Sequence, residues 1–410
     1  MTEASRVFAV TGTVGARLVV VVAGILTSVI TARSLGPEGR GQYYLVMTIA
    51  SMAAQFGNFG LSSSNVFLGA RDSSAIGRLV GNTVWVCAVL SFVTAVVTVT
   101  SGSYLAQRFQ LSMPMMWLLC LLGPAVLGFT LGSSLLVAEE RFLSLNFWQI
   151  FNSILSLTLL GAIAAAGAGP GAFLLGTTVA AVASAAGLLR YALRSHRLTL
   201  AFDADLFRQG LDFAMRAYIA LVLGYLLQRV GATALALYRD AREVGLYSVA
   251  AQIYDVLIIV PTSVGMVLFP ALIRAEQDGW ATTWRALFAT MVIMTAGCAA
   301  TALLARPVLP LVFGQAFAPA YPIVLALLPA AMLIAAVSVL SQYVVSRGFP
   351  WALVAVWLAG LVVAAGLAPV LTREHGVVGA AVAQGAGSLA VLIGVAILAA
   401  AKVRRARRKG

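Results

Sequence analysis

The stretch RYALRSHRLTLAFDADLFRQGLD, residues 190–212, is the longest polar segment of a chain that is otherwise a succession of apolar runs. It carries Arg190, Arg194, Arg197 and Arg208 beside Asp203, Asp205 and Asp212, and falls close to the middle of the 410 residues. Six apolar runs lie on each side of it, most of them closed by Gly, Pro or a short charged cluster. About 20 residues, at 1.5 Å each, are what a helix needs to cross a hydrocarbon core of roughly 30 Å. The spans predicted before the polar segment are 10–33, 42–68, 79–104, 113–137, 145–167 and 171–192. Those after it are 211–237, 245–272, 281–305, 320–344, 350–371 and 377–401. One such run is equally a buried helix of a water-soluble core; twelve in succession are not.

Composition points the same way. Hydrophobic residues make up 61% and charged residues 10%, with mean hydropathy +0.97, whereas a soluble domain carries roughly 25% charged residues to wet its surface. No cleavable leader is expected, because Arg6 is followed by a long apolar run and Arg33 without a short apolar core and small-residue cleavage site. Cys87, Cys120 and Cys298 fall inside apolar runs without metal-ligand spacing and read as small buried side chains. His196 and His375 sit in polar stretches near span ends and read as solvated. No cofactor and no metal are expected.

The net charge of +13 raises nucleic acid as a partner. The basic residues are instead spread over many short loops, with one cluster at the C-terminal end (Lys402, Arg404, Arg405, Arg407, Arg408, Lys409) directly after an apolar span. That tail reads as a stop-transfer signal in contact with anionic membrane lipids, and no nucleic acid partner is expected.

An even number of spans places both termini on one side. That side then holds Arg6, Arg71, Arg78, Arg141, the arginines of 190–216, Arg274, Arg285, Arg347 and the basic tail. The other holds only Arg33, Arg40, Arg108, Arg239, Arg242, Arg306 and Arg373. The positive-inside bias therefore puts both termini in the cytoplasm. A shift of 204 positions lays the first half on the second, so that Gly41-Gln42-Tyr43 meets Gly245-Leu246-Tyr247. Gly171-Ala172 and Gly379-Ala380 open the two sixth spans near the same offset. Six spans per half make the repeats parallel, the arrangement of a two-lobed transporter with a central cavity. The fold class is an all-α polytopic membrane protein with lobes at 1–198 and 199–402 and a cytoplasmic tail at 403–410.

Ionisable groups inside spans are costly and mark pathways or partners. Arg229 in span seven and Asp255 in span eight stand thirteen positions either side of Arg242 in the connecting turn, so an antiparallel hairpin puts them at one depth, within ion-pair reach. They read either as a structural pair or as a switch, in which protonation of Asp255 releases Arg229 toward an anionic cargo. Arg17, near the inner end of span one, either snorkels to the headgroups or meets the phosphates of an entering lipid, which a guanidinium fork suits. Asn146, Gln149 and Asn152 share one face of span five, and Gln55 and Asn58 one face of span two. Such amides line a sugar path or cross-link helices. Gly379, Ala383 and Gly387 form a small-residue stripe suited to close helix packing.

Several enzyme classes are disfavoured. Asp203-Ala204-Asp205 has the Asp-x-Asp pattern of a metal-bound nucleotide-sugar site, yet it opens an amphipathic stretch where Asp is a good helix cap. A phosphate-binding GxxxxGK[ST] loop is excluded because the only lysines are Lys402 and Lys409. No HExxH occurs, and every predicted outer loop is too short to house polymerase or ligase chemistry. The chain reads as a transporter, not an enzyme.

The linker between spans one and two, Ala32-Arg33-Ser34-Leu35-Gly36-Pro37-Glu38-Gly39-Arg40-Gly41-Gln42-Tyr43, resembles the R-x-LGPE-x-x-G-x-Y stretch of bacterial polysaccharide exporters. These form the O-antigen flippase group of the multidrug/oligosaccharidyl-lipid/polysaccharide exporter superfamily. Leu311-Val312-Phe313-Gly314, followed by Tyr321 and Leu325, is similar to the family's stretch between spans nine and ten. The resemblance implies two six-helix lobes in a V. It also implies export of an undecaprenyl-diphosphate-linked oligosaccharide across the bacterial cytoplasmic membrane for surface polysaccharide biosynthesis, alongside a polysaccharide polymerase and glycosyltransferases. Related lipid II flippases use cavity arginines, a role that maps here onto Arg17. They usually add two C-terminal spans, and the departure favours surface or O-antigen glycans. A cation-coupled antiporter of drugs or metabolites is the alternative from the same superfamily, which an acidic cavity would favour. An anionic cargo fits the membrane potential, since moving one negative charge outward is favourable by about 2.3 kcal/mol per 100 mV.

Overall fold

A computed structural model describes residues 3–195, 201–274 and 279–407. His196, Arg197 and the last residues of the basic tail lie outside them. Among the described residues there is no strand. The helices are α1 (Glu3–Gly57), α2 (Leu61–Arg71), α3 (Ile76–Arg108), α4 (Met113–Ala138), α5 (Phe142–Ala165) and α6 (Pro170–Ala192). They continue as α7 (Ala204–Tyr238), α8 (Ala241–Arg274), α9 (Gly279–Phe313), α10 (Tyr321–Ser346) and α11 (Trp351–Arg407). Ten stretches are long and apolar enough to cross a membrane, and the first and last of them each supply two crossings.

In α1 the chain reverses at Gly36, whose φ of 63° is open to glycine and strained for other residues. Twelve residues of straight helix would separate Ser28 from Arg40 by about 18 Å, yet the Arg40 guanidinium donates to the Ser28 carbonyl at 3.1 Å and to its hydroxyl at 2.7 Å. The same group also donates to the Thr31 hydroxyl. Pro37 follows the turn with the φ a helix start requires and no N–H to leave unpaired. In α11 the reversal is at Gly376, with φ 58°. Gly360 then faces Val391, Ala364 faces Gly387, and Val356 faces Gly394, an antiparallel ladder centred on the turn. The small-residue stripe is thus a packing surface. A Cβ on Gly387 would stand 2.6 Å from Ala364 Cβ, from the Gly360 carbonyl oxygen and from Leu227 Cδ1.

Twelve arms result, as the apolar runs predict, with one boundary corrected. The predicted second span, 42–68, is cut short: α1 ends at Gly57, Phe59 and Gly60 take φ of 45° and 77°, and α2 is a separate helix of 11 residues. At about 16 Å it cannot cross. Hydropathy misses the break because Phe59, Leu61, Val66, Phe67 and Leu68 are interleaved with uncharged Asn58, Ser62, Ser63, Ser64 and Asn65, so no charge marks the end of the run. The causes are local. The Asn58 side chain engages both the amide and the hydroxyl of Ser62, and Gly60 packs where a Cβ would come within 2.8 Å of Ala214 Cβ.

The contacts divide the chain into compact units at Met1–Tyr218 and Ile219–Gly410, so the division falls within α7 and not in the polar segment. Asp203 explains why. Its carboxylate caps α7 by accepting from the Leu206 amide at 3.0 Å and also takes Arg78 Nη1 at 2.9 Å. Its peptide N–H and C=O pair with the Asn82 amide side chain at 2.8 and 2.9 Å. Further along, the Tyr218 hydroxyl donates to the Phe56 carbonyl at 2.7 Å. These bonds hold the beginning of α7 against the first unit.

The first unit packs around Ile76, Leu79, Leu135, Leu136 and Leu188, with a second cluster of Leu61, Val86, Leu127 and Leu131. The second unit packs around Leu227, Val337, Val339, Leu353, Val391 and Val395. Lys402, read above as part of a lipid-contacting tail, is directed inward: its ammonium donates to the carbonyls of Val344, Arg347 and Gly348 at 2.7, 3.0 and 3.0 Å. It thereby satisfies the open C-terminal end of α10.

Gly387→Val inserts bulk against backbone and is expected to destabilise the chain by about 1–3 kcal/mol. Gly366→Ala, with nothing within 4 Å of the added carbon, is expected to leave stability equal or slightly raised. Reversible unfolding in detergent micelles compares the two, and equal stabilities would remove the close-packed ladder as a constraint.

Candidate functional site

In the second unit α7 and α8 meet through a two-residue connection, and Arg229 and Asp255 come to the same level. Arg229 Nη2 stands 3.6 Å from Asp255 Oδ2, with the arginine side chain 21% and the aspartate 45% exposed. The arginine carbon Cζ also lies 5.5 Å from the centre of the Tyr225 ring. The pair is therefore one-sided, with its cation packed among α7 and α8 side chains and its anion facing out of the unit. Behind it, the buried Tyr247 hydroxyl donates to Gln384 Oε1 at 2.7 Å, and Gly231 leaves the space that the tyrosine ring fills. Gln384 in turn is one helical turn from Ser388, whose hydroxyl returns to the Gln384 carbonyl at 2.9 Å. The centre of this unit is thus a polar seam through α7, α8 and α11, with an acid and a base that neutralise each other while both are charged. Protonating Asp255 would remove the negative charge 3.6 Å from Arg229.

In the first unit the candidates separate. Asn146, buried, shares a face of α5 with Gln149 and Asn152, both half-buried. Gln55 is half-buried near the end of α1. Asn58 is committed to Ser62 and acts as a local brace for the start of α2. Arg17 is exposed on the first arm of α1.

Two polar residues escape a reading by hydropathy and charge. Arg40 counts in sequence as an outer-loop cation, yet it is buried at 5% exposure against Ser28 and Thr31. Asn82 looks like any amide near a span end, yet it pairs with the backbone of Asp203, 121 positions away. The signal for Arg40 is its place four residues after a Gly-Pro turn, where a long side chain can reach back along the preceding arm.

Two units of long apolar helices, with polar groups held inside each, define the class: a multi-pass membrane protein with a transporter fold. A lipid II flippase, MurJ in its inward closed conformation, has a TM-score of 0.79 at 12% identity, covering 94% of this chain and 86% of that one. The inward-facing conformation of a multidrug resistance MATE family transporter of the MOP superfamily has a TM-score of 0.74 at 16% identity, covering 94% and 95%. A MOP superfamily transporter from Pyrococcus furiosus Vc1 has a TM-score of 0.61 at 16% identity, covering 98% and 94%. These likenesses concern the fold. No curated protein sequence matches the chain. The model of a family described as polysaccharide biosynthesis protein matches residues 10–276, and the chain belongs to that family.

A double-mutant cycle with Arg229→Gln and Asp255→Asn measures the pair. We expect each single substitution to cost more than the double, with a coupling of at least about 0.5 kcal/mol in unfolding free energy. Additive costs would mean the two charges do not sense one another.

Proposed function

We propose that the chain is a flippase for an undecaprenyl-diphosphate-linked oligosaccharide. It moves this cargo from the inner to the outer leaflet of the bacterial cytoplasmic membrane, for surface polysaccharide of the O-antigen kind. Both termini lie in the cytoplasm, and transport proceeds by alternating access. Membership of a polysaccharide biosynthesis family, on a fold shared with flippases and exporters, is the observation that carries this reading. The intramembrane charge supports it. A diphosphate calls for cations, and Arg229 and Arg17 are two arginines on membrane-spanning helices, with the amides of Asn146, Gln149 and Asn152 suited to a glycan. Asn58, committed to Ser62, contributes to cargo binding only when that brace opens. In this scheme Asp255 is the coupling group: neutral, it leaves Arg229 to the diphosphate, and charged, it takes Arg229 back. A polysaccharide polymerase and glycosyltransferases supply and consume the cargo. The chain itself makes and breaks no covalent bond.

Deletion of the gene is expected to accumulate lipid-linked oligosaccharide on the inner leaflet, read by extraction and mass analysis of lipid-linked glycans. Unchanged glycans accompanied by new drug sensitivity would overturn the reading in favour of drug export. Asp255→Asn is expected to abolish the pH dependence of translocation in vesicles loaded with the lipid-linked glycan. Survival of that dependence would remove Asp255 as the coupling group.

A further inference from the structure

The first unit holds a cavity of about 700 Å³ walled by Phe56 at the end of α1 and Phe59 just after it, Trp85 and Val89 from α3, Phe202 before α7 and Phe207 in its first turn. Its one hydroxyl belongs to Tyr218, which already donates to the Phe56 carbonyl. Counted along α3 from residue 79, where the sequence predicts the span to open, Trp85 stands about 9 Å and Val93, also on the wall, about 21 Å into the apolar run. A cavity with walls this apolar offers water few partners and suits hydrocarbon. Phe56, Phe59, Trp85, Val89 and Phe202 are all more than 40% exposed, so the cavity is open to an incoming chain.

The same wall leads to positive charge. Arg78 stands seven positions before Trp85 on α3, two turns and about 10 Å nearer the cytoplasmic end on the same face. Its Nη1 is given to Asp203 at 2.9 Å and its Nη2 lies 3.9 Å from Asp72. A guanidinium has five N–H donors, so others remain for a phosphate. Arg208, exposed, follows the wall residue Phe207. Asp205 is also exposed at this end, and a multiply charged head would have to outcompete these carboxylates, which a diphosphate does better than a single phosphodiester.

We propose that this cavity is a docking site for the polyprenyl tail of a lipid diphosphate, with its head at Arg78 and Arg208. It would be an inner-leaflet waiting position for cargo before it enters the transport path. The choice of a polyprenyl chain over an ordinary acyl chain rests on the flippase reading above. The cavity's apolar walls and basic mouth do not.

The test uses the full chain in vesicles of phosphatidylethanolamine and phosphatidylglycerol, with a photoreactive benzophenone side chain at Val89 and undecaprenyl diphosphate as the probe. A control chain carries the same group at Val292, an exposed apolar position of α9 in the second unit. The expected result is an adduct with undecaprenyl diphosphate at position 89 and phospholipid adducts alone at 292. Val93→Trp, which fills the cavity, is expected to lower the position-89 adduct at least about five-fold, a difference of about 1 kcal/mol. Excess unlabelled undecaprenyl diphosphate should displace phospholipid adducts at 89 even without that variant. Phospholipid adducts at 89 that undecaprenyl diphosphate does not displace would overturn the docking site. If translocation persists in that case, the flippase reading stands without the site. Adducts with the carrier in a chain that translocates nothing would keep the site and remove the flippase reading.

Discussion

Hydrocarbon supplies no partner for a backbone N–H or C=O, so each chain reversal within or beside the bilayer must satisfy its own peptide groups. This constraint shapes the two units more than any single side-chain contact. It explains why α1 and α11 each turn at one glycine, Gly36 and Gly376, leaving few unpaired groups between arms. It explains the chemistry of the ends as well. Asp203 receives the first amides of α7, Lys402 fills the last carbonyls of α10, and Asn58 braces the entry to α2.

Once the backbone is satisfied, the arms still have to adhere without a hydrophobic effect between them, because lipid is as apolar as the helices. The second unit answers with close approach. Gly360, Ala364 and Gly387 bring the two arms of α11 nearly into backbone contact. The first unit relies more on interlocking leucines around α3, α4 and α6. Polar contacts follow a similar division. In the second unit they form a seam of tyrosine, glutamine and arginine that ends at the outward-facing aspartate, whereas in the first they gather around Arg40 and Asp203. Two halves with one order of helices have been given different interiors.

Much of this was legible in the residue order. Apolar length alone yields the twelve arms, and a Gly-Pro pair marks the first reversal. Arg229 and Asp255 can be placed at one depth by counting outward from Arg242, but their role in moving cargo is not encoded in that spacing. The break after Gly57 was hidden because Phe59, Leu61, Val66 and Phe67 continue the run past it and its polar residues, Asn58 and Ser62 to Asn65, are uncharged. The burial of Arg40 was hidden for a related reason: its partners Ser28 and Thr31 resemble any hydroxyl that bonds back to its own helix. Position within α7 was harder still. Only the bonds from Asp203 and Tyr218 reveal that the helix begins as part of the first unit, and those join residues more than a hundred positions apart.

Arg40 carries a consequence for how the chain enters the membrane during synthesis. Its guanidinium finds Ser28 and Thr31 only on the arm made just before it. A lone arm carrying that arginine toward the bilayer would face a penalty of about 2.5–3.5 kcal/mol near mid-membrane, less toward the edge. Released together, the two arms present a hydrogen-bonded pair in which the guanidinium donors already have acceptors, closed by a tight bend. The nascent chain is therefore best delivered by the translocon as a preformed helical hairpin, and the order of partitioning is written into the distance between a hydroxyl and the cation that follows it.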